Sequence, residues 1–226
     1  MAVLLSEEDR KYLTELFQKE LKSEIKILFF KSDNKDECQY CDVTQQILGE
    51  LSELNEKINV EIHDFNAEKE LAEKYKLEMI PAIVMLDSKD NDMRIRFYGV
   101  PSGYEFSTLI EDVIATSKGG EVELSSATLE ALEDLDRPIK LQVFVTPTCP
   151  YCPKAVLTAQ KLAMKSSFIQ GEMVEANEFP ELSMKYNVSS VPHIIINEGE
   201  GEFVGALPED AFVEQIMNVV KEGGGI

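Results

Sequence analysis

Four cysteines fall as two Cys-x-x-Cys pairs, Cys38-Gln39-Tyr40-Cys41 and Cys149-Pro150-Tyr151-Cys152. Two thiols at this spacing suit a dithiol–disulfide couple, in which one thiolate attacks a foreign disulfide and the other resolves the mixed disulfide. A free thiol of pKa about 8.5 is mostly protonated at neutral pH, so the attacking sulfur must sit where an anion is stabilised. A helix N-terminus supplies such a place through its unpaired N–H groups and the positive end of its dipole. The first cysteine of each pair is therefore expected at a helix N-terminus and the second one turn inside. Pro150 then falls in the first helical turn, and Pro153 forfeits at most one early helix bond. The four thiols could in principle hold one zinc ion, but 108 positions separate Cys41 from Cys149 and each pair heads its own helix, so no metal is expected.

The pairs are 111 residues apart, close to half of the 226-residue chain, and other landmarks repeat with them. Cys38 to Pro81 and Cys149 to Pro192 are both 43 residues. Tyr75 and Tyr186 lie six residues before these prolines, and Asp64 and Glu175 lie 17 before. Gly99 and Gly205 each precede a phenylalanine by seven (Phe106, Phe212) and an isoleucine by 11 (Ile110, Ile216). The stretch from proline to glycine is five residues longer in the first half, which fits a longer hairpin there. A cut after Lys118 leaves two domains, 1–118 and 119–226, each with a formal charge of −10.

Strands rich in β-branched and aromatic residues precede each pair, near 25–30 and 139–145, and each pair opens a helix. Ala155, Val156, Ala159, Leu162 and Ala163 recur at the three- and four-residue spacing of one buried helical face. Further strands are expected near 59–64, 82–86, 93–98, 173–176, 194–196 and 202–204. Helices are expected near 7–21, 104–116, 126–135, 179–185 and 208–221, and the final Glu222–Ile226 reads as a frayed tail. The fold class that follows is α/β: a tandem duplication of two thioredoxin-fold units, each a mixed central sheet flanked by helices. In that fold the turn before Pro81 and Pro192 abuts the cysteine pair. Both Ile80-Pro81 and Val191-Pro192 are expected to be cis, exposing the backbone of Ile80 and Val191 for strand-like pairing with a substrate peptide.

A net charge of −20 and a pI near 4.5 repel phosphate backbones and anionic membrane surfaces, which excludes broad nucleic-acid affinity. No apolar run is long enough to span a bilayer, and Met1–Asp9 lacks a basic flank and a cleavage site, so a soluble, cytoplasmic protein is expected. Charge also separates the two motifs. Residues 137–171 contain no Asp or Glu but include Arg137, Lys140, Lys154, Lys161 and Lys165, whereas Cys38 is flanked by Asp33, Asp36, Glu37 and Asp42. Cys149 is expected to be the more reactive nucleophile. His63 and His193 read as ordinary strand histidines.

Cys149-Pro150-Tyr151-Cys152 resembles the glutaredoxin active-site motif. Together with Cys38-Gln39-Tyr40-Cys41, the whole chain resembles the two-unit protein disulfide oxidoreductases, or glutaredoxin-like proteins, of thermophilic archaea and bacteria. The resemblance implies thiol–disulfide exchange on protein substrates carrying disulfides or thiols, no cofactor of its own, a cytosolic setting, and recharging by a thioredoxin-reductase-like flavoprotein. Cys149 is then the main nucleophile, Cys152 the resolving thiol, and Cys38 with Cys41 a second redox pair. An alternative is a dedicated electron carrier from such a flavoprotein to a peroxidase. The buried aspartate that thioredoxin carries six residues before its first cysteine falls here on Ser32 and Val143. Glu175 or Asp64, on the neighbouring strand, is expected to take over proton transfer.

Overall fold

The computed structural model describes residues 4–223. The first half runs α1 (Glu7–Glu20), β1 (Ile25–Lys31), α2 (Cys41–Ser52), β2 (Ile58–Asp64), α3 (Lys69–Lys74), β3 (Ala82–Leu86), β4 (Asp92–Tyr98) and α4 (Glu105–Ser117). The second half repeats the order with α5 (Ser126–Glu133), β5 (Ile139–Val145), α6 (Cys152–Lys165), β6 (Ile169–Glu175), α7 (Pro180–Lys185), β7 (His193–Ile196), β8 (Gly201–Val204) and α8 (Glu209–Gly223). Of the expected frayed tail, 222–226, the first two residues continue α8 and the rest lie outside the described residues. By compactness the chain divides into one unit of 1–93, 97–100 and 110–121, and another of 94–96, 101–109 and 122–226.

Within each half the strands follow one pattern. β1 lies between β2, parallel to it, and β3, antiparallel, with β4 beyond β3. β5 likewise lies between parallel β6 and antiparallel β7, with β8 antiparallel beyond β7. A parallel pair needs a crossover, and α2 and α6 provide it. Both helices lie along the face of the strand that follows them because their apolar stripes demand burial: Leu48 and Leu51 in α2, and Ala155, Val156, Ala159, Leu162 and Ala163 in α6, are wholly covered. β1 and β5 are almost wholly buried, as central strands covered on both sides should be. Each fully buried Phe or Ile there contributes about 1.5–3 kcal/mol of transfer free energy.

The leading helices start where their caps dictate. Ser6 and Asp9 form a reciprocal capping box before α1, and Ser125 accepts the Thr128 N–H at 3.1 Å before α5. β6 begins at Ile169, earlier than the expected 173, because Ile139 and Ile169 pair from the first residue of β5 onward. Polar Gln170 and Glu172 hide that start from a hydrophobicity pattern. The five extra residues of the first half sit mainly in β4, seven residues long against four in β8, so the hairpin differs more in its strand than in its turn. Among the described residues no helix is long and apolar enough to cross a membrane.

Candidate active site

Each cysteine pair lies at the junction where the central strand hands over to its helix. Cys38–Cys41 and Cys149–Cys152 are both disulfide-bonded, with Cα atoms 5.5 Å apart in each. The helices open at Cys41 and Cys152 themselves, capped by Tyr40 and Tyr151. The second cysteine is therefore the first helical residue and not one turn inside. Pro150 consequently precedes the helix, and Pro153 is its second residue, where an N–H has no intrahelical acceptor to lose. With Pro153 contributing no N–H, the Cys152 N–H at the very start of α6 donates to Cys149 Sγ at 3.1 Å. Cys41 and Cys152 are fully buried, whereas Tyr151 is 70% exposed beside Cys149.

The charge surroundings correct one expectation in detail. Arg137 and Lys140 stand at the start of β5, paired with Glu200 at 2.8 Å and Glu198 at 3.3 Å. The seven-residue strand, at about 3.3 Å per residue, places them about 20 Å from the cysteine end. Lys165 ends the 14-residue α6, a similar distance away at about 1.5 Å per residue. Of the basic stretch, Lys154 alone lies on the first turn of α6. Around Cys38, Asp33 is paired with Lys31 at 2.6 Å and Asp42 with Lys35 at 2.5 Å. Hydrogen bonds from Ser32, Asn66 and Asn34 hold the Glu37 carboxyl below the usual range, keeping an anion directly beside Cys38. The contrast between the two motifs thus narrows to Lys154 beside one pair and Asp36 with Glu37 beside the other.

The loop before Cys38 also differs from that before Cys149. Phe30 pairs with Ala82 one past Pro81, and Phe144 with His193 one past Pro192, so these phenylalanines are equivalent. Eight residues then separate Phe30 from Cys38, but five separate Phe144 from Cys149. Counting back six residues lands on different structural positions: Val143 is inside β5, whereas Ser32 lies beyond β1. The true counterpart of Val143 is Phe29, and both are wholly buried apolar side chains. Neither central strand offers a carboxylate.

Asp64 and Glu175 end the neighbouring strands in register with Lys31 and Val145. Exposed Asp64 accepts the N–H groups of Asn66 and Ala67, at 2.9 and 2.7 Å, and serves as a turn cap. Glu175 is buried, and burial raises its pKa although the Glu178 N–H and the Asn177 amide donate to it at 2.7 and 2.8 Å. A third carboxylate escaped the sequence reading. Glu105 opens α4 at 1% exposure; Thr108 Oγ1 donates to its Oε2 at 2.8 Å and its Oε1 has no partner among the described residues. Burial pushes its pKa up to about 7. Residues 101–109 belong to the same compact unit as the second cysteine pair, and the Tyr104 N–H donates to the Pro147 carbonyl at 3.0 Å, two residues before Cys149. The repeat did carry a hint: counted from Gly99 and Gly205, Glu105 falls opposite Ala211.

Both proline bonds, Ile80-Pro81 and Val191-Pro192, are cis. The carbonyls of Pro81 and Pro192 accept the N–H groups of Gly99 and Gly205, at 3.0 and 2.8 Å. These glycines have φ of 92° and 102°, a conformation other residues adopt only with strain, which accounts for their shared place in both halves. Ile80 and Val191 are half-buried and, among the described residues, their backbone groups have no hydrogen-bond partner. His63 lies on β2, stacked on Phe30 with its Nδ1 2.8 Å from Glu68, and His193 lies buried on β7. No group of three or more His, Cys, Asp or Glu among the described residues is placed to hold a metal ion.

Comparison with known proteins places this geometry among characterised relatives. Residues 139–218 match the model of a thioredoxin domain. The chain is 35% identical over 79 residues to a thioredoxin of Methanocaldococcus jannaschii, spanning 34% of this chain and 92% of that protein. It is 27% identical over 149 residues to the alkyl hydroperoxide reductase AhpF of Staphylococcus epidermidis, covering 66% of this chain but only 28% of that larger protein. The crystal structure of a protein disulfide oxidoreductase from Aeropyrum pernix superposes with a TM-score of 0.85 at 27% identity, over 98% of this chain and 96% of the other.

Proposed function

This chain belongs to the thioredoxin family, and from that premise we propose that it is a two-site thiol–disulfide oxidoreductase of protein substrates with Cys149 as its main nucleophile. The observation that carries the choice of Cys149 is the Cys152 N–H donated to its sulfur at the head of α6. That group stabilises the thiolate in the reduced enzyme, while among the described residues no equivalent bond reaches Cys38, and Glu37 opposes its ionisation.

In reduction, the Cys149 thiolate attacks one sulfur of a substrate disulfide, the substrate S–S bond breaks, and the departing substrate thiolate takes a proton. Cys152 then loses its proton and attacks Cys149 Sγ; the second substrate thiolate leaves, and two electrons have passed to the substrate as the Cys149–Cys152 disulfide closes. Glu105 and Glu175 are the candidates to accept the Cys152 proton, since both are buried carboxyls with raised affinity for it. Asp64, engaged as an exposed turn cap, is the weaker candidate in the first half. Val191 with Pro192, and Ile80 with Pro81, serve as the substrate platforms, each offering unpaired backbone for an extended segment. Cys38 and Cys41 form a second redox couple. As repeats, the units are 1–118 and 119–226.

A dithiol donor must recharge the pair, and a thioredoxin-reductase-like flavoprotein supplies that chemistry. The likeness to alkyl hydroperoxide reductase AhpF favours a second reading, a carrier that passes electrons to a peroxidase. Turnover of a scrambled protein disulfide by the purified chain tests the first reading. Activity confined to a peroxidase partner would establish the second.

A further inference from the structure

Beside the second cysteine pair runs a groove of about 860 Å³, within the range of about 300–1,000 Å³ common for ligand clefts. It extends from Thr146, whose carbonyl accepts the Cys149 N–H at 3.1 Å, to Val191 with its unpaired backbone. None of its lining side chains is ionisable, in a chain that carries −20 overall. Met184, 69% exposed, and Val188 give it apolar wall, and Asn177 and Ser189 give it neutral polar groups.

The first half makes the comparison sharp, because the 111-residue offset holds through this region in structure as well as in sequence. α3 and α7 begin and end at equivalent residues, and Lys76 and Asn187 share a positive φ of 54° and 50°. At the positions of Pro180, Met184, Asn187 and Ser189 the first half carries Lys69, Glu73, Lys76 and Glu78. A depression of about 680 Å³ in the first half shares only the positions of Asn66 and Lys69 with this groove, is lined also by Glu68, Glu70 and Lys74, and does not reach Ile80.

We infer that the two sites select different clients, and that the second groove takes an extended, uncharged peptide segment flanking the target cysteine, with Met184 and Ser189 as specificity-determining residues. The inference deepens the proposed function and rests on it. A peptide paired to the Val191 backbone lays alternate side chains toward the groove wall. A charged side chain there loses water and meets no counter-charge, whereas an apolar one covers Met184 and Val188.

The test uses the full chain with Cys38→Ser and Cys41→Ser, so that turnover passes through Cys149–Cys152, and three disulfide peptides that differ in having Ala/Leu, Glu or Lys next to cysteine. A small aromatic disulfide, too short to fill the groove, is the control. The neutral peptide is expected to have a kcat/KM about tenfold above either charged one. Met184→Glu with Ser189→Glu, two exposed positions that leave the core untouched, should lower kcat/KM for the neutral peptide about tenfold and raise it for the Lys peptide, with small-disulfide turnover unchanged. Equal rates for all three peptides, or a preference that survives the double substitution, would overturn the inference while leaving exchange chemistry intact. Absence of turnover even with the small disulfide would overturn the proposed function and this inference together.

Discussion

The backbone N–H of Cys152 points at Cys149 Sγ across 3.1 Å, and among the described residues no such bond joins Cys41 to Cys38. The first helical N–H is one of the donors a helix leaves unpaired, and an anionic sulfur is its best acceptor. Cys149→Ser is therefore expected to reduce turnover of a model protein disulfide at least tenfold, and Cys38→Ser by less than about threefold, since one pKa unit of thiolate stabilisation is worth about tenfold in thiolate fraction near neutrality. Steady-state rates of both folded variants check this. A larger loss from Cys38→Ser would reverse the assignment.

With Cys152→Ser the attack by Cys149 survives but the resolving thiol is gone. Mixed disulfides between the chain and its substrate should accumulate and appear as a mass shift equal to the substrate on non-reducing analysis. Their absence during demonstrated turnover would mean that Cys149 is not the sulfur that meets the substrate.

Glu105 links stability to pH with a definite sign. Its native pKa of about 7 lies above the ordinary 4.5, so the folded state holds the proton more tightly than the unfolded state does. Its contribution to stability is fully present below about pH 4.5 and declines as pH rises through 7. Glu105→Gln does not titrate, so the stability of the native chain relative to this variant should fall by up to about 3 kcal/mol between pH 4.5 and 8. Urea unfolding of both proteins at the two pH values measures it, and a difference that does not change with pH would show that the buried carboxyl is not perturbed. If Glu105 also accepts the Cys152 proton, the variant should resolve mixed disulfides more slowly with its pH–rate profile flattened near 7.

Gly103 and Gly119 share a left-handed backbone, φ 61° and 69°, but differ in what surrounds them. A Cβ on Gly103 would meet the Pro147 carbonyl oxygen, whereas one on Gly119 meets nothing within 4 Å. Gly119→Ala is expected to cost about 1–2 kcal/mol for the backbone alone. Gly103→Ala should cost more and also slow Cys149 chemistry, because the loop that must give way carries Thr146 and Pro147 into the cysteine pair. Equal loss of Tm in the two variants, with unchanged thiol reactivity, would exclude this coupling.

The spacing of cysteines, prolines and glycines determined much by itself: the duplication, the order of strands and helices, and the neighbourhood of each cysteine pair. Those features are local or set by intervals that cannot change without breaking a strand register or a turn. Chain geometry alone could not place charges or buried protons. Arg137, Lys140 and Lys165 are neighbours of Cys149 in sequence, yet a strand and a helix extend them about 20 Å away. Ser32 and Val143 match by counting, yet three extra loop residues before Cys38 make Phe29 the partner of Val143. Glu105 lies 44 residues before Cys149, and packing of the 101–104 loop on Pro147 brought its segment to that site. Desolvation and hydrogen bonding act through space, so the raised proton affinity of Glu105 and Glu175 and the Cys152 N–H aimed at Cys149 Sγ were decided by the tertiary structure.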